Sequence, residues 1–194
     1  MDTNRTRLSH PYAIICVVSI CLLLTSLVSG GQDIVRIQID TKALTLKVIQ
    51  SDREMLTFSN IAIGRYGTAT ASDKRRGDKK TPLGHFAIAW ITSETSFHRF
   101  FGFYYPNKEY AERAFQAGRL DQKTWNNIRR AFALGHLPPQ DTVLGGNLGI
   151  HGLGEGDKTI HEQYNWTSGC VALTNEQTDR LNDWIRIGTP VEIR

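Results

Sequence analysis

The feature that most constrains the fold is an uncharged apolar run over residues 13–29, which separates a short N-terminal segment from the rest of the chain. Arg5 and Arg7 precede the run, and small residues follow it up to Gly31. A basic start, an apolar centre and a small-residue exit are typical of a secretory signal. We expect residues 1–30 to be a signal peptide or an uncleaved signal anchor, because the run is close to the minimum length that spans a bilayer. The remainder is expected to be exported.

Cysteine usage excludes a disulfide scaffold for the exported part. Two of the three cysteines, Cys16 and Cys21, lie inside the apolar run, which leaves Cys170 alone in the rest of the chain. The domain must therefore be held together by a hydrophobic core. An unpaired cysteine in an oxidising compartment is either a buried structural thiol or a functional one. The cysteine count alone leaves both interpretations open.

Composition indicates an ordinary globular domain. The 194 residues are 40% hydrophobic and 22% charged, which excludes a disordered or fibrous chain. The net charge of +4 is small and dispersed, so we expect no nucleic-acid partner.

Periodicity predicts short strands around a helical middle. Apolar alternation over residues 34–39 and 43–49 indicates a hairpin, and further strands are predicted over 56–63 and 86–91. The Gly-rich, charged stretch 67–80 between them indicates a loop. Many short strands with two or three helices imply one α+β domain of about 160 residues.

The middle and last thirds supply the helices. Residues 107–117 contain few β-formers, and Asp121 can cap a second helix that Gly135 closes, so we expect a helical insertion or lid. Thr174 and Gln177 have the spacing of a capping box, which predicts a C-terminal helix. Strands are predicted near 148–151 and 170–173, with a final one over 189–194.

Two strand ends carry groups suited to nucleophilic chemistry. His151 ends one strand and Cys170 begins another. A thiol becomes a strong nucleophile when a nearby imidazole takes its proton. Gly169 permits close backbone approach, and N–H groups around it can stabilise an oxyanion. Residue type alone does not identify the base, because five of the six histidines follow the apolar run.

Motif order makes the pattern specific. HG stands at 151–152, TSGC at 167–170, and the loop and strand GDKKTPLGHF at 77–86. Together these resemble the catalytic domain of the L,D-transpeptidase (YkuD-type) family.

The resemblance extends over residues 33–194. The closing segment GTPVEI at 188–193 is similar to the family's last strand. YPN at 105–107 and CVALTNEQ at 170–177 resemble one envelope branch of the family. The fold implied is a single α+β domain with mixed, sandwich-like β-sheets, a helical insertion and a C-terminal helix.

The resemblance also implies a role for each motif residue. Cys170 would be the nucleophile and His151 its base, with the Gly152 carbonyl orienting the imidazole. Ser168 and Gly169, together with the Cys170 backbone, would frame the oxyanion site. No metal or organic cofactor is implied.

The implied substrate is the peptide stem of peptidoglycan, in the periplasm or cell envelope. Attack on the amide after the diamino acid would form a thioester. An amine acceptor would then give a cross-link or a protein attachment, and water would give hydrolysis. An envelope protein is a further candidate acceptor or leaving group, and a membrane is a partner only if the signal is uncleaved.

At two positions the sequence departs from the family's usual pattern, which leaves the outcome of the reaction open. Ser168 stands where the commonest pattern has His, and Ala172 where many transpeptidases have Arg or Asn. Both positions border the nucleophile, so they bear on the choice of acceptor. The alternatives are an L,D-amidase or carboxypeptidase acting on the same type of bond, and a peptidoglycan-binding module without chemistry.

Other candidates carry weaker signals. His161 lies between the motifs, as either a polar surface residue or a pocket residue. The basic loop 74–80 is predicted to be solvated, with attraction of stem-peptide carboxylates as the alternative. The aromatic cluster over 97–105 is expected to form core or lid packing, or a groove wall. A zinc site lacks the usual short ligand spacing among its candidates His136, His151, His161 and Cys170.

Overall fold

The computed structural model describes Met1 and residues 34–194, so the expected signal sequence lies, apart from Met1, outside the described residues.

Alternating apolar residues build the first two strands of the sheet. Ile37 and Ile39 in the first strand are fully buried, as are Leu46 and Val48 in the second. Because side chains alternate between the faces of a strand, this spacing buries one face of the hairpin.

Ten strands and four helices are present in the described residues. The strands are β1 (Val35–Asp40), β2 (Thr45–Gln50), β3 (Arg53–Ser59), β4 (Thr68–Ala69), β5 (Thr81–Pro82), β6 (Gly84–Thr92), β7 (Phe100–Phe103), β8 (Gly149–His151), β9 (Val171–Ala172) and β10 (Pro190–Ile193). The helices are α1 (Lys108–Gln116), α2 (Gln122–Ala133), α3 (Lys158–Gln163) and α4 (Asn175–Asn182). The α+β class and the mixed sheet are confirmed.

Eight of these strands form one mixed sheet. Its order is β3-β2-β1-β10-β6-β7-β8-β9, with parallel pairs at β1/β10 and β8/β9 and antiparallel pairs elsewhere. β4 and β5 form a separate parallel pair. The strand β10 joins the N-terminal hairpins to the half of the sheet that carries the motif residues.

The sheet curls so that its two edges meet. The segment after β3 bridges the opposite edge, where Ala62 pairs with Ala172 and Gly64 with Thr167. The Ala62 N–H donates to the Ala172 carbonyl at 2.9 Å, and the Ala172 N–H donates back at 2.7 Å. The curl encloses the core and anchors the segment that precedes Cys170.

The third strand begins earlier than predicted. Ser51 and Asp52 both have positive φ, as a two-residue hairpin turn requires. The turn places Arg53 directly in the ladder, so β3 covers Arg53–Ser59 rather than residues 56–63.

Side-chain caps begin the helices, and those of α2 and α4 are the predicted ones. Asn107 accepts from the Tyr110 N–H at the start of α1, and Asp121 accepts from the Thr124 N–H at the start of α2. The predicted capping box of α4 is present, with Thr174 and Gln177 bonded reciprocally. None of the helices in the described part of the chain is long and apolar enough to cross a bilayer.

Candidate active site

Two adjacent parallel strands position His151 and Cys170. In the β8/β9 pair, Ile150 lies opposite Val171 and His151 opposite Ala172. Cys170 immediately precedes β9, and its thiol donates to the Asn147 carbonyl just before β8, with 3.7 Å between Sγ and O. The fold therefore brings His151 and Cys170 to the same edge of the sheet.

One hydrogen bond defines the tautomer of His151. Its Nδ1 lies 2.7 Å from the Gly152 carbonyl oxygen. Because a carbonyl only accepts, Nδ1 carries the proton of the neutral ring. The lone pair on Nε2 is then available to accept a proton.

The Gly152 carbonyl is held by a tightly packed loop. A Cβ at this position would lie 2.7 Å from both the Asn175 side-chain oxygen and the Phe97 carbonyl. The Asn175 side chain accepts from the Leu153 and Gly154 N–H groups and donates to the Gly154 carbonyl, each at 2.9 Å. Asn175 thus fixes the loop whose carbonyl orients His151.

Aromatic rings surround the His151 imidazole. The ring centroid of Phe97 lies 4.3 Å away, that of Trp166 5.7 Å away in an edge contact, and that of Phe100 6.1 Å away in a stacked contact. His151 is 2% exposed, and burial lowers its pKa, while the bond to Gly152 partly opposes this shift. The imidazole is therefore a neutral base at neutral pH.

The Cys170 thiol is also neutral at rest. The residue keeps partial solvent exposure, but burial of the thiol raises its pKa to about 11. A hydrogen bond from the Gly149 backbone and the charge of Lys74 lower the pKa by smaller amounts. The resting pair is therefore thiol and imidazole rather than thiolate and imidazolium.

A buried hydroxyl shapes the turn before Cys170. Thr167 Oγ1 donates to the Cys170 carbonyl at 2.7 Å and accepts the Gly169 N–H at 3.1 Å. Gly169 has a φ of +128°, which favours glycine. Within residues 34–194, the N–H groups of Ser168 and Cys170 have no hydrogen-bond acceptor. The Gly169 N–H is already engaged, so an oxyanion would be met by Ser168 and Cys170.

A cavity of about 440 Å³ lies beside the turn. Ser168, Asn147 and Lys74 line it, together with the segment that follows α2. Neither α1 nor α2 contributes a lining residue, so the helical insertion does not cover this cavity.

His161 lies behind the site rather than on the surface. It is 3% exposed, and its Nδ1 accepts the Trp166 indole N–H at 3.3 Å. Burial lowers the pKa of His161, and the Asn60 carbonyl opposes this shift. The Trp166 ring lies in edge contact with both imidazoles, with its centroid 6.5 Å from that of His161 and 5.7 Å from that of His151.

The remaining candidates divide between core, surface and site. Phe101, Phe103 and Tyr105 are fully buried in the core, whereas Phe97 and Phe100 contact His151, so the aromatic cluster serves both purposes. His85 is exposed. Among the described residues, no group of three or more His, Cys, Asp or Glu has the geometry to hold a metal ion.

The solvated loop predicted over residues 74–80 is only partly correct. Lys74 is 2% exposed, and its ammonium lies 2.5 Å from Asp78. Periodicity gives no sign of this burial, since the residues lie in a Gly-rich charged stretch. Asn175 and Trp166 were missed as site residues, although both flank the TSGC motif.

Comparison with known proteins identifies the family. Residues 34–193 match the L,D-transpeptidase catalytic domain, YkuD. The chain belongs to this family.

Solved structures similar to this L,D-transpeptidase domain share its fold at low identity. The helical cell shape determining protein Pgp2 from Campylobacter jejuni is 18% identical, with a TM-score of 0.57, over 83% of this chain and 47% of that one. Bd1075 from Bdellovibrio bacteriovorus is 19% identical, with a TM-score of 0.51, over 82% and 47%. The chain thus spans about half the length of these proteins. No curated protein matches it.

Proposed function

We propose that this chain is an exported L,D-transpeptidase that forms a thioester between Cys170 and a peptidoglycan stem peptide. The family supports the type of reaction and substrate. The observation that carries the assignment of residues is the bond from His151 Nδ1–H to the Gly152 carbonyl, because it leaves Nε2 as a base at the same sheet edge as the thiol.

The proposed acylation begins with proton transfer from Cys170 Sγ to His151 Nε2. The thiolate attacks the carbonyl carbon of the L-to-D amide, and the oxyanion accepts hydrogen bonds from the Ser168 and Cys170 N–H groups. When the C–N bond breaks, the imidazolium returns its proton to the leaving amine, and the acyl group remains on sulfur as a thioester.

Deacylation runs the same steps in reverse with a second nucleophile. An amine acceptor gives up a proton to His151, attacks the thioester and forms a new amide while the thiol is restored. Water in the same role would give hydrolysis. The acceptor could be a second stem peptide or an envelope protein. The resemblance of CVALTNEQ to an envelope branch supports a site of action in the periplasm.

Mass spectrometry of muropeptides tests this function. Residues 31–194 and the Cys170→Ala variant are incubated with disaccharide-tetrapeptide and with protein-linked peptidoglycan. We expect dimers or amine-exchanged products that require Cys170. Tripeptide or released protein without new links would establish the hydrolase instead. No cysteine-dependent product from either substrate would refute the assignment and favour a binding module.

A further inference from the structure

The buried lysine of the basic loop is unexplained by the proposed reaction. Lys74 Nζ contacts Asp78 at 2.5 Å and donates to the Arg75 carbonyl at 3.1 Å. The Lys74 side chain is 3% exposed and that of Asp78 is 13% exposed. Desolvating two charges is costly, and such a pair is often no more stable than an apolar replacement. Stability alone is therefore a weak reason for this pair.

The loop that holds the pair is docked onto the nucleophile. The Asp78 oxygen that binds Lys74 also accepts the Lys80 N–H at 2.9 Å. The Lys80 carbonyl would lie 2.9 Å from a Cβ on Gly169, so the two backbones pack directly together. The Thr81 hydroxyl donates to the Cys170 carbonyl at 3.3 Å. Lys74 is thus fixed relative to Cys170 through a short chain of contacts.

The ammonium belongs to a residue that also lines the cavity beside the turn before Cys170. Lys74 lines it together with Asn147, whose carbonyl accepts the Cys170 thiol. An ammonium has three donors, and two are engaged by Asp78 and Arg75. In the part of the chain that the structure describes, the third donor has no protein acceptor.

We propose that Lys74 is the fixed positive charge that stabilises the Cys170 thiolate, and that Asp78 limits and positions this charge. The inference deepens the proposed function, but it concerns the thiol itself and not the peptide substrate. The electrostatic effect of Lys74 on the thiol has the required sign. The charged and titratable groups on the elements around Cys170 include His151 at the end of β8 and Asp141 on the segment that lines the cavity, and on the loop they are Lys74, Arg75, Arg76, Asp78, Lys79 and Lys80.

The neutral resting pair explains why such a charge is useful. Proton transfer from Cys170 to His151 creates a thiolate in a site where burial disfavours it. Coulomb interactions are stronger in such surroundings than in water. A cation already in place stabilises the thiolate without reorganisation when the proton moves.

Alkylation of the folded protein by iodoacetamide, followed against pH, measures the thiolate directly. The thiolate attacks the reagent carbon, a C–S bond forms and iodide leaves. We expect Lys74→Met to slow alkylation about tenfold below the thiol pKa, since one pKa unit changes the thiolate fraction tenfold. Lys74→Arg keeps the charge and should restore most of the rate. The matched control Lys79→Met, on the same loop, should behave as the parent.

Asp78→Asn provides the opposite test. It leaves the lysine charge uncompensated, so alkylation should become faster. Loosened packing around Lys74 would change the rate in the same direction in Lys74→Met and Asp78→Asn, whereas the proposal expects opposite changes. Folding of each variant is checked by thermal melting. Equal pH profiles for the folded variants and the parent would overturn the proposal. Slower alkylation in Asp78→Asn, or loss of folding in both Lys74→Met and Asp78→Asn, would assign the pair to loop structure and overturn it as well.

The test is independent of peptidoglycan. If alkylation responds as expected and no muropeptide product forms, the inference stands and the proposed function fails. If products form and alkylation is unchanged, the reverse holds.

Discussion

The surroundings of His151 and of Cys170 differ in kind. His151 is enclosed by the rings of Phe97, Phe100 and Trp166 and has one hydrogen bond to a carbonyl. Cys170 is surrounded by backbone groups and a loop that carries a buried ion pair. The imidazole side restricts orientation and disfavours charge, whereas the thiol side offers donors and a cation. In the proposed mechanism, the base is therefore positioned in advance, and the nucleophile is stabilised only as charge develops.

Of the changes considered, removing the imidazole should slow acyl-enzyme formation the most. We expect His151→Ala to reduce acyl-enzyme formation about 10³-fold, since a positioned general base contributes roughly 10²–10⁴-fold. The rate is measured by mass spectrometry of the intact protein with disaccharide-tetrapeptide. His85→Ala, at an exposed position on β6, is the control and should acylate like the parent. Equal loss in the control, or normal acylation of His151→Ala, would contradict the role of the imidazole.

Displacing the carbonyl that orients the ring should have an intermediate effect. Gly152→Ala places a Cβ 2.7 Å from the Asn175 side-chain oxygen and from the Phe97 carbonyl, so the loop must shift. We expect kcat to fall about 10–100-fold, as for loss of a group that orients a reactive histidine. A drop in thermal stability should accompany it, because overpacking costs about 1–3 kcal/mol.

A variant of a second glycine serves as a control that distinguishes misorientation of the imidazole from a general loss of stability. Gly118, just after α1, has a positive φ, and a Cβ added there would meet no atom within 4 Å, so Gly118→Ala strains the backbone away from the imidazole. Gly118→Ala should lose some stability and retain kcat. If Gly152→Ala retains kcat despite its lower melting temperature, the carbonyl does not orient the base.

The smallest expected effect is a shift in the pH dependence of kcat/KM, caused by the lowered pKa of His151. Burial lowers the pKa of His151, so the ring stays neutral below the usual value of about 6.5. Activity requires the neutral base, so kcat/KM falls only when the pH drops through this lowered pKa. We expect the acid limb of the profile to lie below a pH of about 6.5. An acid limb at or above that value would mean that the imidazole is more exposed to solvent or charge than the structure shows.

Sequence reasoning performed best where local chemistry is strong. The caps of α2 and α4 were predicted from Asp121 and Thr174, because a side-chain cap is a short-range signal. The strand β7 was missed because Phe100–Phe103 is apolar throughout and shows no alternation. The helix α3 was missed because it is a single short segment whose described burial is confined to His161.

The site was predicted unevenly for a related reason. The family resemblance assigned roles to His151, Gly152 and Cys170, and these assignments stay predictions. Lys74 is buried in the 74–80 loop, whose Lys80 packs against the Gly169 backbone, and no local pattern encodes this long-range contact. Local patterns give equally little indication that the Gly169 N–H is bonded to Thr167.

The parallel pairing of β1 with β10 has a consequence for the order of folding. Ile37 lies opposite Val191, so the centre of the sheet joins segments from opposite ends of the domain. Contacts of such long sequence separation form slowly, because loop closure must precede them. The β1/β10 ladder cannot form until β10 has been synthesised, whereas the bridges from Ala62 to Ala172 and from Gly64 to Thr167 need no residue of β10. The centre of the sheet is therefore expected to be completed last, after the curled edges have met.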